Sequence, residues 1–171
     1  MISGRTFTAS LKPMWSEEQI STILKQLKGS AVVHVINHDK DVNSETGEIV
    51  EPHTHVLIDY DTPRKISTVA NLLEVESNFV EIVKSKKAFL RYLTHKDDHD
   101  KHQYDDSEVW SNSDVSYADL VKGASMSDKE IAEYIKQGRG QDLLGVVSMT
   151  KLRTIQAFLQ YDVQGRMYKE M

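Results

Sequence analysis

Pro52-His53-Thr54-His55-Val56-Leu57-Ile58-Asp59-Tyr60 is the stretch from which the rest of the chain can be read. Two histidines one residue apart run into an apolar segment with the composition of a β-strand. Side chains alternate across a strand, so His53 and His55 share a face, with their rings close enough to grip one ion. Fourteen residues before His55 lies Asp41, and three before that His38, within Asn37-His38-Asp39-Lys40-Asp41. Imidazole with carboxylate suits Mn2+, Mg2+ or Zn2+, geometry deciding among them. A His-x-His pair alone also arises on plain surface strands, so the metal reading needs support from neighbouring segments.

That support comes from pairing. Residues 31–37 (Val32, Val33, Val35, Ile36) are expected to form a second strand, and the polar connection 42–51 with Gly47 at its middle reads as a hairpin loop. The hairpin would bring His38 and Asp41 toward His53 and His55. By alternation His34, Ile36 and His38 share one face. His34 lies a pleat farther from the loop and reads as a packed or hydrogen-bonded residue.

Upstream, residues 5–11 read as a strand with Phe7 and Leu11 as core candidates. Ser16-Glu17-Glu18-Gln19 is a capping box ahead of Ile20, Ile23, Leu24 and Leu27, and Gly29 stops that helix. Downstream, Thr62-Pro63 resembles a cap and first-turn proline, giving a predicted helix over 63–74 with Ile66, Val69, Ala70 and Leu73. Residues 78–84 read as a strand and 86–96 as a helix packed through Phe89, Leu90 and Leu93. On such a helix Tyr92, His95 and Lys96 would share a face. The order is βαββαβα, an α+β organisation.

Residues 97–108 have no apolar period and read as a solvated acidic loop, with Trp110 and Tyr117 docking it back onto the domain. Beyond Gly123 the pattern becomes helical: a capping box at Ser127-Asp128-Lys129-Glu130, stops at Gly138 and Gly140, then Leu152, Ile155, Leu159 and Val163 at helical spacing. The expected division is a domain over 1–123 and a helical region over 124–171, for oligomerisation or linkage to a further domain. The last helix reaches Met171 without a C-cap, as expected of a chain that continues.

At 171 residues, 39% hydrophobic and 27% charged, the chain can bury a core and lacks a disordered composition. The absence of cysteine excludes disulfide scaffolds, Cys-based zinc sites and thiol nucleophiles. No apolar run is long enough for a membrane span and no signal peptide opens the chain, so a soluble cytoplasmic protein is expected. The net charge of −5 is local: residues 97–108 hold six acids against one lysine, and the flanking segments are balanced. Lys84, Lys86, Lys87, Arg91 and Lys96 form a basic patch around Tyr92 that suits a phosphate backbone. No Gly-x-x-x-x-Gly-Lys-Ser/Thr loop occurs, so no NTPase activity is assigned.

Three segments taken together, Asn37-His38-Asp39-Lys40-Asp41, His53-Thr54-His55-Val56-Leu57 and Tyr92-Leu93-Thr94-His95, resemble the rolling-circle plasmid replication initiators. These are HUH endonucleases, in the branch typical of plasmids from Gram-positive bacteria. The resemblance covers roughly residues 5–120. It implies a five-stranded antiparallel sheet flanked by helices. It also implies His53 and His55 as metal ligands with His38 and Asp41 added, Mn2+ or Mg2+ as the ion, and Tyr92 as the nucleophile. Arg5 and Phe7 resemble the family's DNA-facing positions, and a plain core strand is the equal alternative. Two positions depart from the family pattern: Thr54 replaces a bulky hydrophobic residue, and His95, followed by Lys96, stands where many relatives place a lysine.

The implied chemistry is coherent. A divalent cation on a non-bridging oxygen neutralises a phosphodiester for in-line attack, and a phenolate is a good enough leaving group for the attack to reverse. The expected product is a 5′-phosphotyrosine link and a 3′-hydroxyl that can prime synthesis. Single-stranded or hairpin origin DNA and the host replication machinery are the implied partners, with a homo-oligomer also expected. A non-catalytic origin-binding module and an unrelated His-ligated metallohydrolase are the competing readings.

Overall fold

The computed structural model describes residues 2–170, with side chains through residue 160. Met1 and Met171 lie outside the described residues, and with Met171 the expected uncapped end; the side chain of Val163 is likewise not described. The chain divides into two compact units, Met1–Tyr117 and Ala118–Met171.

The first unit is built on an antiparallel sheet of five strands: β1 (Ser3–Leu11), β2 (Ala31–His38), β3 (His53–Lys65), β4 (Val80–Ile82) and β5 (Trp110–Ser111). They lie in the order β4-β1-β3-β2-β5, so the longest strand is central. With helices on its faces this is the α+β fold implied above. The pairing Phe7↔Ile58, Ala9↔Val56, Val33↔Ile58 and Val35↔Val56 puts the apolar residues of three strands on one face. Two helices cover that face, α1 (Glu17–Leu27) with Ile20, Ile23 and Leu27, and α2 (Ile66–Leu73) with Val69, Ala70 and Leu73. The capping box of α1 forms as the sequence requires: Ser16 Oγ accepts from the Gln19 N–H, and Gln19 Oε1 accepts from the Ser16 N–H. Gly29 follows at φ +89°, a conformation open to glycine without strain. The opposite face carries His34, Ile36, His38, His53, His55 and Leu57, and α3 (Lys86–Tyr92) is tied to it.

Three expectations are corrected. Thr62-Pro63 does not start a helix; β3 continues to Lys65, with Lys65 opposite Ser3 and Arg64 opposite Gly4. The β1–β3 register shifts between Gly4 and Thr6, so Pro63 falls in an irregular stretch where its missing N–H costs little. The strand expected over 78–84 shrinks to β4, preceded by a 3-10 turn at Ser77–Phe79. The helix expected over 86–96 ends at Tyr92. A Schellman motif closes it: the His95 N–H donates to the Tyr92 carbonyl, the Lys96 N–H to the Arg91 carbonyl, and His95 takes φ +59°.

Sequence reading had found no strand at β5, where Trp110 pairs with Val35 and Ser111 with His34. Next to it the Asn112 amide accepts from the Val33 N–H and donates to the carbonyls of Leu24 and Ala31, extending the ladder with a side chain. The second unit contains α4 (Tyr117–Ser125, beginning at the junction), α5 (Asp128–Lys136) and α6 (Met149–Glu170) around Met126, Ile131, Leu143, Val147, Leu152 and Ile155. No helix among the described residues is long and apolar enough to cross a membrane.

Candidate active site

Register assembles the histidines. In the β2–β3 ladder His38 lies opposite His53 and Ile36 opposite His55. The ring centroids of His38 stand 5.4 Å from His53 and 4.6 Å from His55, and those of His53 and His55 are 4.8 Å apart. All three are buried. Thr54, between them, points the other way, where its hydroxyl accepts the Trp15 N–H (2.8 Å) and donates to Asn37 Oδ1 (2.6 Å). The Thr54 hydroxyl thereby pins the strand to the chain entering α1.

Hydrogen bonds on the far side of two rings decide which nitrogens stay free. The His53 Nδ1–H donates to the Glu51 carbonyl (2.9 Å) and the His38 Nε2–H to the Leu93 carbonyl (2.7 Å). This leaves lone pairs on His53 Nε2 and His38 Nδ1. His53 Nε2 lies 3.1 Å from His55 Nε2. Asp41 Oδ2 is 3.3 Å from His38 Nδ1 and 3.9 Å from His53 Nε2. His38 Nδ1 is buried with no hydrogen-bond partner among the described residues.

Burial pushes the His38 imidazole down to about 4, against the opposing influence of the Leu93 carbonyl and Asp41. Burial and then the neighbouring imidazoles push His55 down to about 3. Both rings are therefore neutral at pH 7, and the ligand nitrogens of His38, His53 and His55 lie within 4.8 Å of one another. Three imidazole nitrogens, one of them the orphaned His38 Nδ1, with an Asp41 carboxylate oxygen beside His38 and His53, fit a divalent cation.

Tyr92 is the last residue of α3 and is 37% exposed. Its ring meets the His55 ring edge-on, centroids 5.5 Å apart, and leans on Phe89 at 5.1 Å. Lys101 Nζ lies over the same ring at 5.5 Å. Tyr92 and His55 also line an open cleft of about 440 Å³ whose other walls include Thr8, Ser10, Asn78, Phe79 and Glu81. A phenol at the rim of a cleft beside a cation-ready cluster can act as a nucleophile toward a phosphodiester.

Two candidate DNA contacts are corrected. Phe7 is fully buried against Tyr60 in the core, so it cannot face a ligand. His95 does not share the exposed face of Tyr92; its left-handed backbone turns it inward, where Nδ1–H donates to the His102 carbonyl (2.9 Å) and lies 3.8 Å from Asp41 Oδ1. His95 thereby forms a second group with His38 and Asp41. Arg5, Lys84 and Lys87 are exposed and make no ion pair among the described residues. The rest of the basic patch is paired: Lys86 with Asp59, Arg91 with Asp97 through two nitrogens, and Lys96 with Asp106 at 2.7 Å.

Sequence reading missed Tyr104. It is buried, its ring lies parallel to that of His38 (4.5 Å, 10°), and burial raises its phenol pKa. A lone aromatic among the acids of 97–108 was the available signal, since a solvated loop has no use for one.

A profile of the family described as plasmid replication protein, origin binding domain, matches residues 2–116, and the chain belongs to that family. Among curated relatives, a replication protein of Onion yellows phytoplasma (strain OY-M) is 30% identical over 115 residues, 60% of this chain and 30% of that protein. A replication protein of Staphylococcus aureus is 27% identical over 139 residues, covering 78% and 69% respectively. Replication protein RepB of Lactiplantibacillus plantarum is 24% identical over 125 residues, covering 72% and 53%. The matches thus span from 30% to 69% of these relatives' own lengths.

Proposed function

We propose that the chain nicks single-stranded or hairpin DNA at a plasmid replication origin by attack of Tyr92. The Tyr92 oxygen bonds to the scissile phosphorus, the bond from phosphorus to the 3′-oxygen breaks, and the phenol proton is balanced by protonation of that oxygen. The products are a 5′-phosphotyrosine link and a free 3′-hydroxyl, and the phosphoester is conserved so that the step reverses. Mn2+ or Mg2+ held by His38, Asp41, His53 and His55 would supply charge neutralisation at a non-bridging phosphate oxygen. Arg5, Lys84 and Lys87 hold the strand by its phosphates, which fixes register without reading sequence.

The observation that carries this reading is the edge-on approach of Tyr92 to His55, one ring from the converging His38, Asp41 and His53. Family membership supports the DNA partner. On the same reading the host replication machinery extends the 3′-hydroxyl, the work is cytoplasmic, and residues 124–171 join this domain to a second copy or to a further domain.

The test is incubation with a single-stranded oligonucleotide spanning the cognate origin and Mn2+, followed by a denaturing gel. A covalent protein–DNA band that vanishes in Tyr92→Phe and with chelator is expected. Cleavage without an adduct would instead favour a metallohydrolase, and binding without cleavage a non-catalytic origin-binding module.

A further inference from the structure

The contacts of Tyr104 converge on the same cluster. Its hydroxyl donates to Asp41 Oδ1 (3.0 Å) and accepts the Lys40 N–H (2.9 Å). Oδ1 is thereby engaged, and Oδ2 is the oxygen turned toward His38 Nδ1 and His53 Nε2. Its ring covers one face of His38, whose edge is held by the Leu93 carbonyl. The flanking loop is bolted down on both sides of it. Before Tyr104, the His102 carbonyl accepts from His95, and the Gln103 amide donates to the carbonyls of His95, Asp98 and Lys101. After it, Asp106 and Glu108 pair with Lys96 and Lys40.

We infer that Tyr104 is a positioning residue of the cation site: its hydroxyl aims the Asp41 carboxylate, and its ring fixes the plane of His38 before an ion enters. The acidic loop is on this account a part of the site. This rests on the reading of His38, Asp41, His53 and His55 as ligands. Orienting partners of metal ligands act in this way, and their loss typically weakens affinity about 10- to 100-fold.

The test is titration of the full chain with Mn2+ by calorimetry, wild type against Tyr104→Phe, with the ion-free melting temperature recorded in parallel. Tyr104→Phe keeps the ring over His38 and removes the hydroxyl. The expected result is a Kd for Mn2+ raised about 10-fold or more, measured well below the melting temperature where both proteins are folded. A Kd within about 2-fold of wild type, whatever happens to the melting temperature, would mean a purely structural role and overturn the inference. Wild type failing to bind Mn2+ at all would overturn it together with the ligand assignment, which separates the two failures.

Discussion

Replacing His34 with leucine should stabilise the protein in acid and do progressively less as pH rises. His34 is 1% exposed, stands edge-on to Tyr117 at 5.9 Å, and neither ring nitrogen has a hydrogen-bond partner among the described residues. Burial pushes its imidazole from 6.5 down to about 4, with Lys86 reinforcing and Asp59 opposing. Between those values the unfolded chain takes up a proton at residue 34 that the folded chain refuses. Stability is therefore lost as pH falls from 6.5 toward 4, and below about 4 the loss is complete. The difference amounts to about 2 kcal/mol at pH 5 and about 3 kcal/mol at its limit. His38 and His55 add losses of the same sign in the ion-free protein, but both proteins share them, so the comparison isolates His34. Urea unfolding followed by tryptophan fluorescence reads the sheet unit, because Trp15 and Trp110 both lie within it. A gap between His34→Leu and wild type that stays constant from pH 7.5 to 4.5 would refute the argument.

Thr54→Val keeps the shape and strands the Trp15 N–H and Asn37 Oδ1, so a loss of about 2–4 kcal/mol is expected in urea unfolding; a cost under about 0.5 kcal/mol would show that the hydroxyl does not pin the strand. Lys84→Ala with Lys87→Ala should lower the slope of log affinity against log salt for single-stranded DNA by about 1.4, two phosphate contacts' worth, measured by fluorescence anisotropy. Arg91→Ala should change that slope far less, because Asp97 already engages the guanidinium through paired hydrogen bonds.

The convergence of His38, His53 and His55 was legible because they sit on a hairpin, where register follows from alternation and a polar loop. Once β2 pairs with β3, His38 has nowhere to go but opposite His53. The capping box at Ser16 and the core residues of α1 and α2 were legible for the same reason, being local patterns with local causes. The failures were tertiary. Helical spacing alone carried α3 through Lys96, and the Schellman closure was hidden because histidine, not glycine, occupies its left-handed position. The basic patch was legible as composition but not as free charge, since Lys86, Arg91 and Lys96 find carboxylates contributed by β3 and the acidic loop. Tyr104 was lost because nothing in a polar segment announces which strand it will lie against.

Both margins of the sheet are stubs. β4 offers three residues and β5 two, so neither margin strand is itself a long template for another chain's backbone. Short margin strands are one way in which a sheet limits edge-to-edge pairing with a neighbouring molecule.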